Sequence, residues 1–263
     1  MFTAVISIMS HAQFITARQL ISARQEIARN VAKTSLPSPA SRGGLVSAQV
    51  LVNTSVAEYR RAVVKAEAQG KDFAYIQRRL APYLHKDEAL HYIATQRFGA
   101  GNPEMEAYVA AHQSRRAAFF SALGAGVRYR ELFPRSAIVR YVATGTHSDE
   151  MWPLPVSTII ELLDNWREVL LRYHNYYVGI SDHALPIKYH VIDAECVILH
   201  EPVGKGDDIR LNSLFIYGRD VASIAVKDFD LVWGLIDPEW RDRERIARWI
   251  SEELVPLANR RLP

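Results

Sequence analysis

A change of hydrophobic period near residue 173 constrains this chain more than any other feature of its sequence. Just before it, Val156, Ile159, Ile160, Leu163, Trp166, Val169 and Leu170 recur at helical spacing, with Glu161, Asp164, Arg167, Glu168 and Arg172 largely opposite. Beyond it, residues 176–180, 187–192, 195–199 and 211–217 form short β-branched and aromatic runs separated by turn residues, the pattern of strands. The polar stretch 204–208, with Gly204 and Gly206, reads as a flexible connection rather than a nucleotide cradle, because no third glycine and no phosphate-binding helix follow. Two amphipathic helices, about 220–235 and 238–258, close the chain, Pro238 suiting a first helical turn. Helix, strands and helices in that order predict an α/β domain, with α+β as the variant, over residues 126–263.

The N-terminal part reads as helical throughout. Phe14, Ile15, Leu20, Ile21, Ile27 and Val31 predict a helix over 14–33, and Pro37, Pro39, Gly43 and Gly44 mark a linker. Ser55 and Glu58 have capping-box spacing for a helix over 55–69 ending at Gly70. Asp72 is placed to cap a helix over 73–80, a further one spans 85–97, and Gly99, Gly101 and Pro103 precede a long one over 104–123. Residues 129–142 read as partly helical around Pro134, and no strand is required before residue 155. Three parts follow: residues 1–44, a helix and linker; 45–125, a basic helical region; and 126–263, the α/β domain.

Charge divides along the same line. The formal net charge of +3 combines +8 over residues 1–150 with −5 over residues 151–263. A basic half is what a phosphate backbone attracts, and a solvated basic helical surface gives the same count. The single cysteine, Cys196, excludes an internal disulfide and a thiolate zinc site, which points to a reducing cytoplasm. Residues 2–9 lack a basic flank, and no run approaches the ~18 apolar residues of a membrane span, so no secretory signal and no membrane partner are expected. His183 and His190 lie near Asp182 and Asp193, but no tight histidine pair signals a metal, and no cofactor is expected.

The sharpest local motif is Pro186-Ile187-Lys188-Tyr189-His190-Val191-Ile192-Asp193, followed by the apolar run of Cys196, Val197, Ile198 and Leu199. It resembles the H-x-K-x-x-x-x-D core of the phospholipase D superfamily, with Lys188 and Asp193 at the lysine and aspartate spacing and Pro186 at the histidine position. In that family one histidine attacks phosphorus and a second protonates the leaving group. Proline offers neither a nucleophilic atom nor a proton, and no second H-x-K occurs in the chain. The resemblance therefore implies a fold without the chemistry. Lys188, His190 and Asp193 then mark a remnant ligand site, with Asp193 orienting or neutralising Lys188.

The resemblance extends over about residues 105–240. It takes in Ser114-Arg115-Arg116-Ala117-Ala118-Phe119-Phe120, Gly126-Val127-Arg128-Tyr129-Arg130-Glu131-Leu132-Phe133, the Asn175–Ile180 run and Asp228-Phe229-Asp230-Leu231-Val232-Trp233. These segments are similar to degenerate, single-copy phospholipase D-like domains at the C-terminus of bacterial helix-turn-helix transcription regulators, particularly actinobacterial ones. Such a relationship implies a sensing or dimerising domain, an unidentified small-molecule effector, a homodimer, and a DNA reader before residue 100. Helices over 72–80 and 85–96 would form that reader, with Lys86, His91 and Gln96 facing the groove and Arg60, Arg61, Arg78 and Arg79 approaching phosphates. Gln77 and Ala81-Pro82 fit a helix-turn-helix poorly, and a helical hairpin with solvated arginines is the competing reading. A protein-interaction module without nucleic-acid contact, and a phosphodiesterase assembled from two chains, are the functional alternatives.

Overall fold

A computed structural model describes residues 47–77, 84–146, 153–183, 185, 188–203 and 210–261. The expected helix over 14–33, the linker, the loop at 204–208, Arg78, Arg79 and Pro186 lie outside the described residues. By internal contacts the chain divides into Met1–Gly44 and Leu45–Pro263. Among the described residues the second unit is built on one mixed sheet of seven strands, flanked by helices, which is an α/β architecture.

Strand β1 (Ser47–Thr54) leads into helix α1 (Val56–Glu67). The helix begins as its sequence predicts: the Ser55 hydroxyl accepts from the Glu58 amide at 3.2 Å, while the Ser55 amide donates to the Glu58 carboxylate at 2.9 Å. Strand β2 (Asp72–Ile76), helices α2 (Asp87–Phe98) and α3 (Pro103–Gly124), and strand β3 (Arg128–Pro134) form a parallel crossover, with Phe73 opposite Tyr129 and Tyr75 opposite Glu131. Helices α4 (Arg135–Thr144) and α5 (Val156–Arg172) then carry the chain to β4 (Tyr176–Ser181), parallel to β3. From there the chain turns antiparallel through β5 (Tyr189–Ile192), β6 (Cys196–Val203) and β7 (Arg210–Tyr217). The spatial order is β1-β7-β6-β5-β2-β3-β4, so the early strand β2 lies between β5 and β3.

One face of the sheet packs against α1, α3 and α5, whose Trp166 meets Phe133 edge-on at 5.5 Å. The other is covered by α6 (Arg219–Leu235), where the Tyr189 hydroxyl donates to the Asp228 carboxylate at 2.8 Å and Arg130 lies 4.9 Å from the Phe229 ring. Gly179 on β4 permits this approach, since a Cβ there would stand 2.7 Å from Leu132 and 2.9 Å from Ile236. The last helical stretch is broken rather than continuous. A 3-10 turn (Pro238–Arg241) precedes α7 (Arg243–Trp249), a π turn (Ile250–Leu254) and α8 (Val255–Asn259). Pro256 has no amide to donate, and the Val255 amide bonds back to Ile250, the wider spacing of a π turn. Among the described residues no helix is long and apolar enough to cross a membrane.

Three expectations are corrected. Residues 72–76, read as part of a helix, form β2: Phe73, Ala74, Tyr75 and Ile76 are all buried, and a strand covered on both faces shows an unbroken apolar run rather than alternation. Residues 47–54 and 128–134, also read without strands, supply β1 and β3. The boundary expected at 125/126 consequently runs through a single sheet rather than between domains.

Candidate functional site

The hairpin β5–β6 sets the geometry of the remnant motif. Its register pairs His190 with Ile198 and Tyr189 with Leu199, so one further step places Lys188 opposite His200. The next pairing places His200 beside Ser213 on β7. On the other side His190 is opposite Tyr75, and Tyr75 opposite Glu131. Side chains two positions apart share a face, so Lys188, His190, His200, Ser213, Tyr75 and Glu131 form a polar strip across the sheet beneath α1 and α3.

His190 is the centre of that strip. It is only 3% exposed, with its ring 4.3 Å from Tyr75 and 5.3 Å from His200. Neither ring nitrogen has a hydrogen-bond partner among the described residues. Burial first, then the positive charges of Lys188, Arg115 and Arg60, holds the imidazole well below its ordinary pKa and keeps it neutral. His200 shares a 2.8 Å hydrogen bond with the Tyr59 hydroxyl of α1, and the buried Ser213 hydroxyl has no partner among the described residues.

The buried carboxylates nearby are committed elsewhere. Glu67 of α1 forms an ion pair with Arg115 of α3 and accepts from the Tyr75 hydroxyl. Arg115 also donates to the Tyr129 hydroxyl at 2.7 Å. Glu131 accepts from the Tyr176 hydroxyl at 2.5 Å and from the Gln77 amide at 3.2 Å. Burial raises the pKa of Tyr75, Tyr129 and Tyr176, so these hydroxyls remain donors. Neither carboxylate orients His190. What the arrangement presents chemically is a neutral, buried imidazole with the positive charges of Lys188, Arg115 and Arg60 near it.

Asp193 belongs to a different part of the molecule. It sits in the β5–β6 turn with φ of 53° and accepts from the amides of Lys71 at 2.7 Å and Asp72 at 2.6 Å, tying the hairpin to the start of β2. Five positions along the strand separate it from Lys188, roughly 16 Å. The expected Lys188–Asp193 pair is thereby corrected: the aspartate is a turn residue, and the half-buried lysine belongs with His190 and His200.

Of the residues expected to meet DNA, the described ones lie on two helices, α1 and α2. Arg60 is 8% exposed and lies 5.8 Å from the ring of Tyr59 on α1, and Arg61 on the same helix is exposed. Lys86 precedes α2 and pairs with Glu161 at 3.0 Å. His91 and Gln96 are exposed on α2, which packs its other face on α3. Residues 72–76, expected in the first helix of the reader, are instead the strand β2, so the described residues place Lys86, His91 and Gln96 on α2 and its N-cap without the helix expected before them.

The network of Glu67, Tyr75, Gln77, Arg115, Glu131 and Tyr176 was not singled out from sequence; its visible signal is Glu131, a charge at a core-facing position of β3. His200 was also missed, although hairpin register alone places it on the face of His190. Among the described residues no group of three or more His, Cys, Asp or Glu side chains gathers as a metal would require.

No family model matches the chain, and no curated protein matches it. Solved structures do. TrmBL2, described as an archaeal chromatin protein with a novel mode of DNA binding, is 11% identical with a TM-score of 0.37, over 84% of this chain and 64% of that one. Nuc from Salmonella typhimurium, a phospholipase D family member, is 11% identical with a TM-score of 0.37, over 74% of this chain and 97% of its own. The phosphatidylserine synthase of Haemophilus influenzae Rd KW20 is 14% identical with a TM-score of 0.42, over 89% of this chain and 51% of that one. The chain thus spans about two thirds of the first and half of the third. Its structural neighbours include phospholipase D-family folds and a DNA-binding protein.

Proposed function

We propose that the chain is a non-catalytic regulatory protein of the transcription-regulator type, in which a phospholipase D-like sheet holds an anionic effector over Lys188 and His190 or joins two copies. The observation that carries this reading is His190: a buried imidazole kept neutral, facing cations, with no carboxylate to orient it among the described residues. A nucleophilic or acid-base histidine needs an orienting partner and a pKa near the working pH. Pro186, two residues before Lys188, removes the alternative nucleophile. The test is turnover of a generic phosphodiester such as bis(p-nitrophenyl) phosphate. None is expected from the intact chain, and turnover that His190→Ala or Lys188→Ala abolishes would overturn the reading. Inorganic phosphate should raise the melting temperature of the wild-type chain, and Lys188→Ala should remove that rise.

A second reading is favoured by one finding. With β2 in place of a reader helix and Arg60 buried, the basic region offers fewer phosphate contacts than its charge suggests, which supports a protein-interaction module without nucleic-acid contact. Duplex binding decides between them. A regulator binds at about 50 mM salt and loses affinity steeply as salt rises, whereas a module shows no binding at that salt.

A further inference from the structure

The two edges of the sheet are treated differently. At β4 the edge is closed by the C-terminal segment: the Arg243 guanidinium donates to the carbonyls of His174 at 3.0 Å and Tyr176 at 3.4 Å, and the 3-10 turn at Pro238–Arg241 packs on the strand. At the opposite edge, β1 pairs among the described residues on one side only, antiparallel to β7. None of its eight residues is buried, Val50 is 40% exposed and Val52 66%. Protein edges are usually guarded by lysine, proline, an inward charge or a bulge. The stretch Ser47-Ala48-Gln49-Val50-Leu51-Val52 contains no charge and no proline, and the irregularity in register comes only after Leu51, where Asn53 takes a φ of 54°.

We infer that β1 is a homodimer interface, at which β1 of a second copy pairs antiparallel and continues the sheet across a two-fold axis. The strand itself argues for a second copy over another partner. Antiparallel pairing centred on Val50 sets Ala48 against the second copy's Val52, Val50 against its own counterpart and Gln49 against Leu51. Apolar side chains thus meet apolar ones on the face of Val50, the pairing stops short of Asn53, whose amide donates to the Asn212 side chain of β7 at 2.9 Å, and the absence of charge leaves nothing to repel an identical strand. A two-fold contact requires this self-complementarity. A strand-to-strand contact lies at the small end of specific interfaces, under ~1,200 Å², so the association is concentration-dependent. This inference does not depend on the anion site.

The test is the mass of the full chain in solution by light scattering and sedimentation across a concentration series. The wild type is expected to dimerise with rising concentration. Val50→Lys and Val50→Glu, each setting like charges directly opposite, are expected to be monomeric, and an equimolar mixture is expected to regain the dimer. Val52→Lys supplies a second disruption at the most exposed position, and far-UV circular dichroism verifies that each variant is folded. A wild type that is monomeric throughout, with β1 covered by another part of its own chain, overturns the inference. So does a dimer that Val50→Lys and Val52→Lys leave intact, or a charge-reversed mixture that fails to associate.

Discussion

At the scale of single residues, the molecule has placed a titratable ring where its charged form is unwelcome. The folded chain keeps His190 neutral, whereas an unfolded chain takes up a proton near pH 6.5. Above that pH neither state binds the proton and the residue leaves stability unchanged. As pH falls below it, the unfolded state binds more protons, so stability declines progressively toward the depressed folded pKa. His190→Phe is therefore expected to be at least as stable as wild type at pH 7.5, since it removes two buried nitrogens without partners, and to lose less stability between pH 7.5 and 5.5. Urea denaturation at the two pH values measures this, and an unchanged decline refutes it. The Glu67–Arg115 pair is expected to behave differently. Arg115→Met strands a buried carboxylate and should cost about 3–5 kcal/mol, much of which Glu67→Gln in the same chain should restore. Strand alternation alone places Lys188 and His190 on one face, and it fails at Asp193 because a positive-φ turn, not a strand position, fixes where that carboxylate points.

At the scale of elements, sequence succeeds where one signal dominates. Helix α1 follows from its capping box, and α5 from an apolar stripe that buries Ile159, Leu163, Trp166 and Leu170. It fails at β2 and β3, where burial on both faces erases the alternation that reveals a strand. In β2 the trailing Gln77-Arg78-Arg79 lends a helical appearance to what precedes it. Residues 129–142, expected to be partly helical around Pro134, divide there: Pro134 ends β3 and caps α4. The seam between β4 and α6 leaves no room for a side chain at Gly179. Gly179→Ala is expected to force Leu132 and Ile236 apart and to cost about 1–3 kcal/mol. Thermal unfolding measures the change, and a melting temperature equal to wild type would show that the seam has slack.

At the scale of the whole molecule, the placement of β2 overrides the division that charge and period suggest. The strand belongs to the basic half in sequence and to the interior of the sheet in space, between β5 and β3. A fragment of residues 126–263 lacks it and holds two strips of sheet with a gap between them. Such a fragment is expected to show no cooperative unfolding and to bind a dye specific for exposed apolar surface. A cooperative transition in the fragment would restore the two-domain division. The guard on β4 has a consequence for synthesis. Arg243 is translated more than sixty residues after the strand it seals, so a ribosome that halts before reaching it leaves a nascent chain with a bare, adhesive margin. Stop codons placed just upstream of that arginine should yield insoluble product, and those placed beyond Asn259 should not.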